Sequence, residues 1–211
     1  MSVLSDFISR QFSRPSGLIG RFVFSKILNH TNKESNAAVL KALDIGPSDD
    51  YLEIGFGGGD LFLKVAELIS KGSITGVEIS EEMIEHVQTK LARQSSTNVK
   101  LLTGDLTQLP LEAESISKIA TVNTIYFTKD LSKACGEIFR VLNGAGRVVI
   151  GFGDSECLAS QNLPKTTFTY RDDVEVINEL KNSGLEVTNQ LKLPRSAGGA
   201  FHVVTAEKKV L

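Results

Sequence analysis

From Asp50 onward the chain alternates between two rhythms. Short, near-continuous apolar runs stand at Tyr51–Ile54, Ser73–Glu78, Val99–Thr103, Ile116–Val122 and Gly146–Phe152, the pattern of buried strands. Between them, at about Asp60–Ser70, Glu81–Gln94 and Lys129–Leu142, apolar residues recur three and four positions apart, as on one face of a helix. Repeated strand–helix–strand units predict a parallel sheet with helices on both faces. The last third changes rhythm. Val174–Asn182 reads as a helix closed by Gly184, followed by Leu185–Leu191 and Ala200–Lys208 as two strands. No helical pattern separates that pair, so an antiparallel hairpin across the Pro194–Gly199 loop is expected. The expected class is α/β: a doubly wound sheet of seven strands, mostly parallel, with an antiparallel C-terminal hairpin.

The first 46 residues differ in character. Val3, Leu4, Phe7, Ile8 and Phe12 form a helical stripe, and Pro15-Ser16-Gly17 break it. Leu18–Leu28 reads as a second helix, and a third runs from about Lys33 to Leu43 before Gly46-Pro47. Residues 1–46 are therefore expected to be a helical extension and residues 47–211 the main domain, since 211 residues favour one large domain over two small ones.

Composition narrows the function classes. With 23 Lys and Arg against 25 Asp and Glu the net charge is −2, which leaves no basic footprint for nucleic acid. Leu18–Leu28 is interrupted by Arg21 and Lys26, too short and too charged to cross a bilayer. The N-terminus has no basic n-region followed by an apolar run, so a cytoplasmic, soluble protein without membrane insertion is expected. Cys135 and Cys157 make neither a disulfide framework nor a zinc pattern. They read as reduced, buried thiols, and no metal site is expected.

The sharpest feature is Glu53-Ile54-Gly55-Phe56-Gly57-Gly58-Gly59-Asp60, where a strand ends in glycines and a helix begins. Glycine permits positive φ and lets a ligand approach the backbone without meeting a Cβ, and strand exits are where open α/β sheets bind ligands. A dinucleotide turn follows G-x-G-x-x-G, but its third glycine position is here Asp60. An acid at a helix start repels the pyrophosphate that such an end otherwise attracts. With Glu53 beside the loop, a ligand carrying an ammonium group suits the site better than one carrying phosphates. Glu78, ending the second strand, is placed to accept from both hydroxyls of a ribose. Asp105, in Gly104-Asp105-Leu106-Thr107-Gln108-Leu109-Pro110 after the third strand, either accepts from an exocyclic amine or caps a turn.

Together these residues resemble the class I S-adenosyl-L-methionine (SAM)-dependent methyltransferases, whose fold is Rossmann-like. The E-x-G-x-G-x-G loop of that family stands here as Glu53, Gly55, Gly57 and Gly59, and its G-D-x-x-x-L-P element as Gly104 to Pro110. Its E-I-x-R-V-L helix end is Glu137 to Leu142. The resemblance covers about residues 50 to 152, and the hairpin extends it to the C-terminus. Gln11-Phe12, Pro15, Gly17, Gly20 and Asn123-Thr124-Ile125-Tyr126-Phe127 are similar to the small-molecule branch that includes the ubiquinone/menaquinone-type methyltransferases. Two departures, Ile116-Ser117 for F-D and Asn143-Gly144-Ala145-Gly146 for K-P-G-G, fall at structural positions. The resemblance implies SAM as cofactor, with the Gly55–Gly59 backbone holding the methionine portion and Glu53 aiding its ammonium indirectly. It further implies Glu78 on the ribose, Ile79 and Leu106 against adenine, Asp105 on the adenine amine and Asn123 beside the methyl group.

Methyl transfer from a sulfonium is an in-line displacement with an activated donor, so the protein mainly aligns the reactants and excludes water. A base matters only if the acceptor loses a proton near the transition state. The candidates are His30, in a segment placed to cap the active site or to end a helix in solvent, and Tyr126, a hydroxyl for the acceptor pocket or a packed aromatic. His86 reads as surface and His202 as packing. The acceptor, a small molecule, is expected between the N-terminal extension and a long irregular loop over Gly153–Tyr170. Asn123-Thr124-Ile125-Tyr126 lacks the prolines of DNA amino-methyltransferases, a second argument against nucleic acid. The alternatives are a non-catalytic SAM-binding protein or partner subunit, and a nicotinamide-dependent oxidoreductase, against which Asp60 speaks. Acceptor identity, attacked atom and oligomeric state are not written in the sequence.

Overall fold

The computed structural model describes residues 32–93, 98–163 and 165–209. The two helices expected within residues 1–31, and His30 with them, lie outside the described residues. The described chain runs α1 (Asn32–Leu43), β1 (Tyr51–Ile54), α2 (Asp60–Ala66), β2 (Ile74–Glu78), α3 (Glu81–Leu91), β3 (Val99–Thr103) and β4 (Ile116–Val122). After a 3₁₀ turn at Ile125–Phe127 come α4 (Leu131–Val141), β5 (Leu142–Gly153), α5 (Ser155–Ser160), α6 (Asp173–Asn182), β6 (Leu185–Pro194) and β7 (Ala200–Lys208).

The sheet has seven strands in the order β3-β2-β1-β4-β5-β7-β6. The first five strands pair in parallel, and β7 runs antiparallel between β5 and β6. The expected mixed sheet with a closing hairpin is thus the one formed. Its near-continuous apolar runs have a layered cause. β1 is buried at all four positions, and successive side chains enter opposite layers. Leu52 and Ile54 join Ile138 of α4 and Val176 of α6, while Tyr51 joins Val39 of α1 and Phe62 of α2. In β5, Val148, Ile150 and Phe152 belong to the first layer and Val149 to the second.

Two expectations are corrected. The Gly153–Tyr170 segment is not irregular throughout: Gly153 ends β5, and the Asp154 side chain accepts the Cys157 N–H at 2.8 Å to start α5. Six residues are too few for periodicity to reveal a helix. Strand β5 also begins before Gly146, because Leu142 already pairs with Ile116, and the register then shifts to Lys118↔Arg147.

Buried Arg171 fixes the chain after β4. It donates to the carbonyls of Ile125 at 3.2 Å and Thr128 at 2.7 Å and pairs with Glu175 of α6.

Candidate active site

From β1 the chain builds the sheet outward to β2 and β3, then returns past β1 to β4 and β5. Such a reversal separates the loops leaving the strand ends and makes a crevice at the switch point. A cavity of about 420 Å³ opens there, within the roughly 300–1,000 Å³ of small-ligand sites.

The glycine loop forms one wall. Gly55 has φ +70°, and a Cβ there would lie 2.4 Å from Thr124 Oγ1. Gly57 and Gly58 border the cavity, and a Cβ at either meets nothing within 4 Å, so their backbone faces open space. Gly59 has a different role: it is the N-cap of α2, and a Cβ on it would lie 2.8 Å from Val87 of α3. Lys90 of α3 donates to the Gly58 carbonyl at 2.9 Å. Sequence reading missed Lys90, and a lone lysine 32 residues from its partner carries no local signal.

Glu53 is buried and accepts the Tyr51 hydroxyl at 2.7 Å. Residues two apart on a strand share a face, so β1 dictates this contact. Burial pushes the Glu53 carboxyl up to about 8; the Tyr51 hydrogen bond opposes this, while Asp60 and Glu78 add to it. A raised folded-state value means that the folded protein holds a proton its unfolded chain releases. The resulting stability is therefore complete below pH 4.5 and is lost as pH rises to about 8. Glu53→Gln keeps an acceptor for Tyr51 without the buried charge. Its melting temperature is expected to fall less than the wild type's between pH 5 and 8, as read by calorimetry across that range; identical profiles would contradict this.

Glu78, at the end of β2, accepts backbone N–H groups from Gly57 at 3.1 Å, Ile79 at 2.8 Å and Ser80 at 3.1 Å. It thereby ties the glycine loop to the start of α3. Asp105 accepts the Thr107 N–H at 2.7 Å and hydroxyl at 2.6 Å, so it caps its turn while lining the cavity. Ile79, 39% exposed, and buried Leu106 present apolar surface to the same space.

Asn123, leaving β4, holds φ +55°, a conformation that asparagine tolerates better than most residues. Its N–H reaches the Gly151 carbonyl at 2.8 Å, and its Oδ1 accepts the Tyr126 hydroxyl at 3.1 Å. That hydroxyl also accepts the Gly153 N–H. Tyr126 therefore braces the exits of β4 and β5, and burial pushes its hydroxyl well above the ordinary phenol range, which suits a strut rather than a base. Of the other histidines, His86 is exposed and His202 is buried against Phe152 and Asp154. Both cysteines are free and buried.

Residues 52–146 match the family model of a methyltransferase domain. Over those residues the chain is similar to methyltransferase domains. An uncharacterised methyltransferase of Bacillus subtilis is 28% identical over 162 residues, 76% of this chain and 84% of its own length. A ubiquinone/menaquinone biosynthesis C-methyltransferase of Geotalea daltonii is 31% identical over 113 residues, 53% of this chain and 48% of that protein. A solved SAM-dependent methyltransferase of Thermotoga maritima, titled a possible histamine N-methyltransferase, superposes with TM-score 0.69 at 24% identity, covering 90% of this chain and 97% of that one. The chain spans 35%, 62% and 27% of the length of three further curated relatives.

SAM is the cofactor that this methyltransferase domain implies, and the residues present fit it. The open backbone at Gly57 and Gly58 leaves room for a ligand that side chains would fill, Glu78 and Asp105 stand at successive strand exits, and Ile79 and Leu106 offer apolar contact. Among the described residues, the part of the cavity remote from the glycine loop is lined by Ser35 and Asn36 of α1, Phe127, Phe168 and Arg195. Sequence reading names Phe127 only as the end of the Asn123–Phe127 segment and singles out none of the other four.

Proposed function

We propose that this protein transfers a methyl group from SAM to a small-molecule acceptor by in-line displacement. The observation that carries the reading is one cavity running from the open glycine loop, past Asn123, to an aromatic wall at Phe127 and Phe168. A pocket of about 420 Å³ matches a cofactor with a compact acceptor. The cited quinone-pathway relative, of which this chain spans under half, supports a small-molecule substrate. No helix among the described residues is long and apolar enough to cross a membrane, in keeping with a cytoplasmic enzyme.

Bound SAM supplies an electrophilic methyl group on a positively charged sulfur. The chain's own contribution is placement. The glycine-loop backbone would hold the methionine end, with buried Glu53 aiding its ammonium indirectly, Glu78 the ribose, and Asp105, Ile79 and Leu106 the adenine. Asn123, held by Tyr126, would border the reacting centre, and Phe127 with Phe168 would keep water out. The residues lining the cavity beyond Asn123 would hold an acceptor nucleophile in line with that methyl group. No histidine lines the cavity among the described residues, and burial raises the Tyr126 hydroxyl and the Cys157 thiol.

Titration calorimetry with SAM and with S-adenosylhomocysteine (SAH), its demethylated product, is expected to show binding of both. Radiolabelled SAM incubated with a metabolite extract is expected to yield a labelled small molecule. Absence of binding would sink the proposal, and binding without transfer would favour a non-catalytic SAM-binding protein.

A further inference from the structure

Charge divides the cavity into two ends. The acids on its lining, Glu53, Asp60, Glu78 and Asp105, all stand at the strand exits assigned to the cofactor. Arg195 is the only cation on the lining among the described residues, and it stands on the loop before β7, whose Phe201 pairs with Gly153 at the end of β5, on the opposite side of β1 from β2 and β3. Apolar side chains line the same cavity. The Phe127 and Phe168 rings lie 5.1 Å apart, and Tyr126 is 6.4 Å from each. Leu158 and Leu163 complete this wall.

Arg195 is rigidly presented. Its side chain is 14% exposed, and its guanidinium lies 5.2 Å from the centre of the Phe201 ring. It donates to Ser35 Oγ and meets Glu34 Oε2 at 3.4 Å. The Glu34 side chain is 71% exposed, so solvent weakens that pairing. A guanidinium has five N–H donors, and these two partners leave donors over. The loop beneath is tight: the Arg195 N–H reaches the Gly199 carbonyl at 3.0 Å and the Gly198 N–H reaches the Arg195 carbonyl at 3.1 Å. Gly199 has φ +66°, and a Cβ there would lie 2.2 Å from the Cys157 nitrogen. The Ala200 N–H is held by Asp154 at 3.0 Å. The positive charge of Arg195 also reaches the cavity wall, where it opposes the upward push of burial on Tyr126 and Cys157.

We infer that the methyl acceptor is a flat aromatic molecule bearing a carboxylate, which Arg195 binds while Phe127 and Phe168 pack against its ring. This rests on the methyl-transfer reading above. The planar fork of a guanidinium matches a carboxylate bidentately, and the paired aromatic rings favour offset or edge contacts with another ring. Asp60, Glu78 and Asp105 would repel the same molecule from the cofactor subsite, so the two ends sort the two substrates.

The test uses protein saturated with SAH and two probes, 1-hydroxy-2-naphthoate and 1-naphthol, which share ring and hydroxyl and differ in the carboxylate. Calorimetry is expected to show the naphthoate binding about tenfold more tightly than the naphthol. In Arg195→Gln that preference disappears through loss of naphthoate affinity alone, and Arg195→Lys retains part of it. SAH affinity is measured in each variant and reports an intact fold. Equal affinity for the two probes, failure of either to bind, or a preference surviving Arg195→Gln would each overturn the inference. Should Arg195→Gln lose SAH binding, the probe ratio in the wild type and in Arg195→Lys decides. Failure of the wild type to bind SAH would instead remove the methyl-transfer reading itself.

Discussion

In Glu78→Ala, affinity for SAH falls at least tenfold, about 1.4 kcal/mol. The effect has two sources. One is direct: the carboxylate lines the cavity at the end of β2, where it is placed to accept from ribose hydroxyls. The other passes through the loop. Glu78 accepts the N–H groups of Gly57, Ile79 and Ser80, and alanine leaves all three without that acceptor, at a cost of about 1–3 kcal/mol for each group kept from water. The glycine loop then loses its tie to α3 on the Glu78 side and keeps the Lys90 bond to Gly58 and the approach of Val87 to Gly59. Glu78→Gln separates the sources, since an amide keeps one acceptor oxygen but turns N–H groups toward donors. Calorimetry should rank affinity as wild type, then glutamine, then alanine. Unchanged affinity in a folded Glu78→Ala protein would contradict the ribose assignment.

Gly55→Ala is expected to destabilise the fold and to cut SAH affinity by at least tenfold. The backbone at Gly55 has φ +70°, which costs a residue with a Cβ about 1–2 kcal/mol. The space is also taken: the new Cβ would lie 2.4 Å from Thr124 Oγ1, 2.6 Å from its Cγ2 and 3.0 Å from its Cβ. Thr124 cannot yield freely, because its hydroxyl contacts the carbonyls of Val122 at 3.1 Å and Ile54 at 3.3 Å. It also follows Asn123, so any shift reaches the centre of the cavity. In Gly55→Ala/Thr124→Ala the clash is relieved while the φ penalty stays. Part of the stability and affinity should return, giving a coupling of the kind contacting residues show, about 0.5–3 kcal/mol. Strict additivity in denaturant melts would show that the close approach of these residues has no energetic effect.

Much of the fold was legible because its signals are local. The run Tyr51–Ile54 is near-continuously apolar because β1 is buried on both faces, and the absence of a helix between Leu185 and Lys208 implied the hairpin. Asp105 was read as either a ligand acceptor or a turn cap, and the structure shows the cap while placing the residue on the cavity. Tyr126 was likewise ambiguous. Its bonds to Asn123 and Gly153 make it a brace, a role that needs a partner 27 residues further along the chain, which no local pattern connects.

The sequence by itself determined the strand–helix order, the glycine loop with its acids, and hence the end of the cavity proposed for the cofactor, because these depend on spacing within a few residues. Only the tertiary structure brought together the end proposed for the acceptor. Ser35, Phe127, Phe168 and Arg195 come from four separated segments, and none is unusual where it stands in the chain. Their convergence depends on β7 inserting between β5 and β6, which carries the Arg195 loop to the mouth of the cavity. Strand order of that kind arises from packing and register across the whole sheet, which no local periodicity encodes.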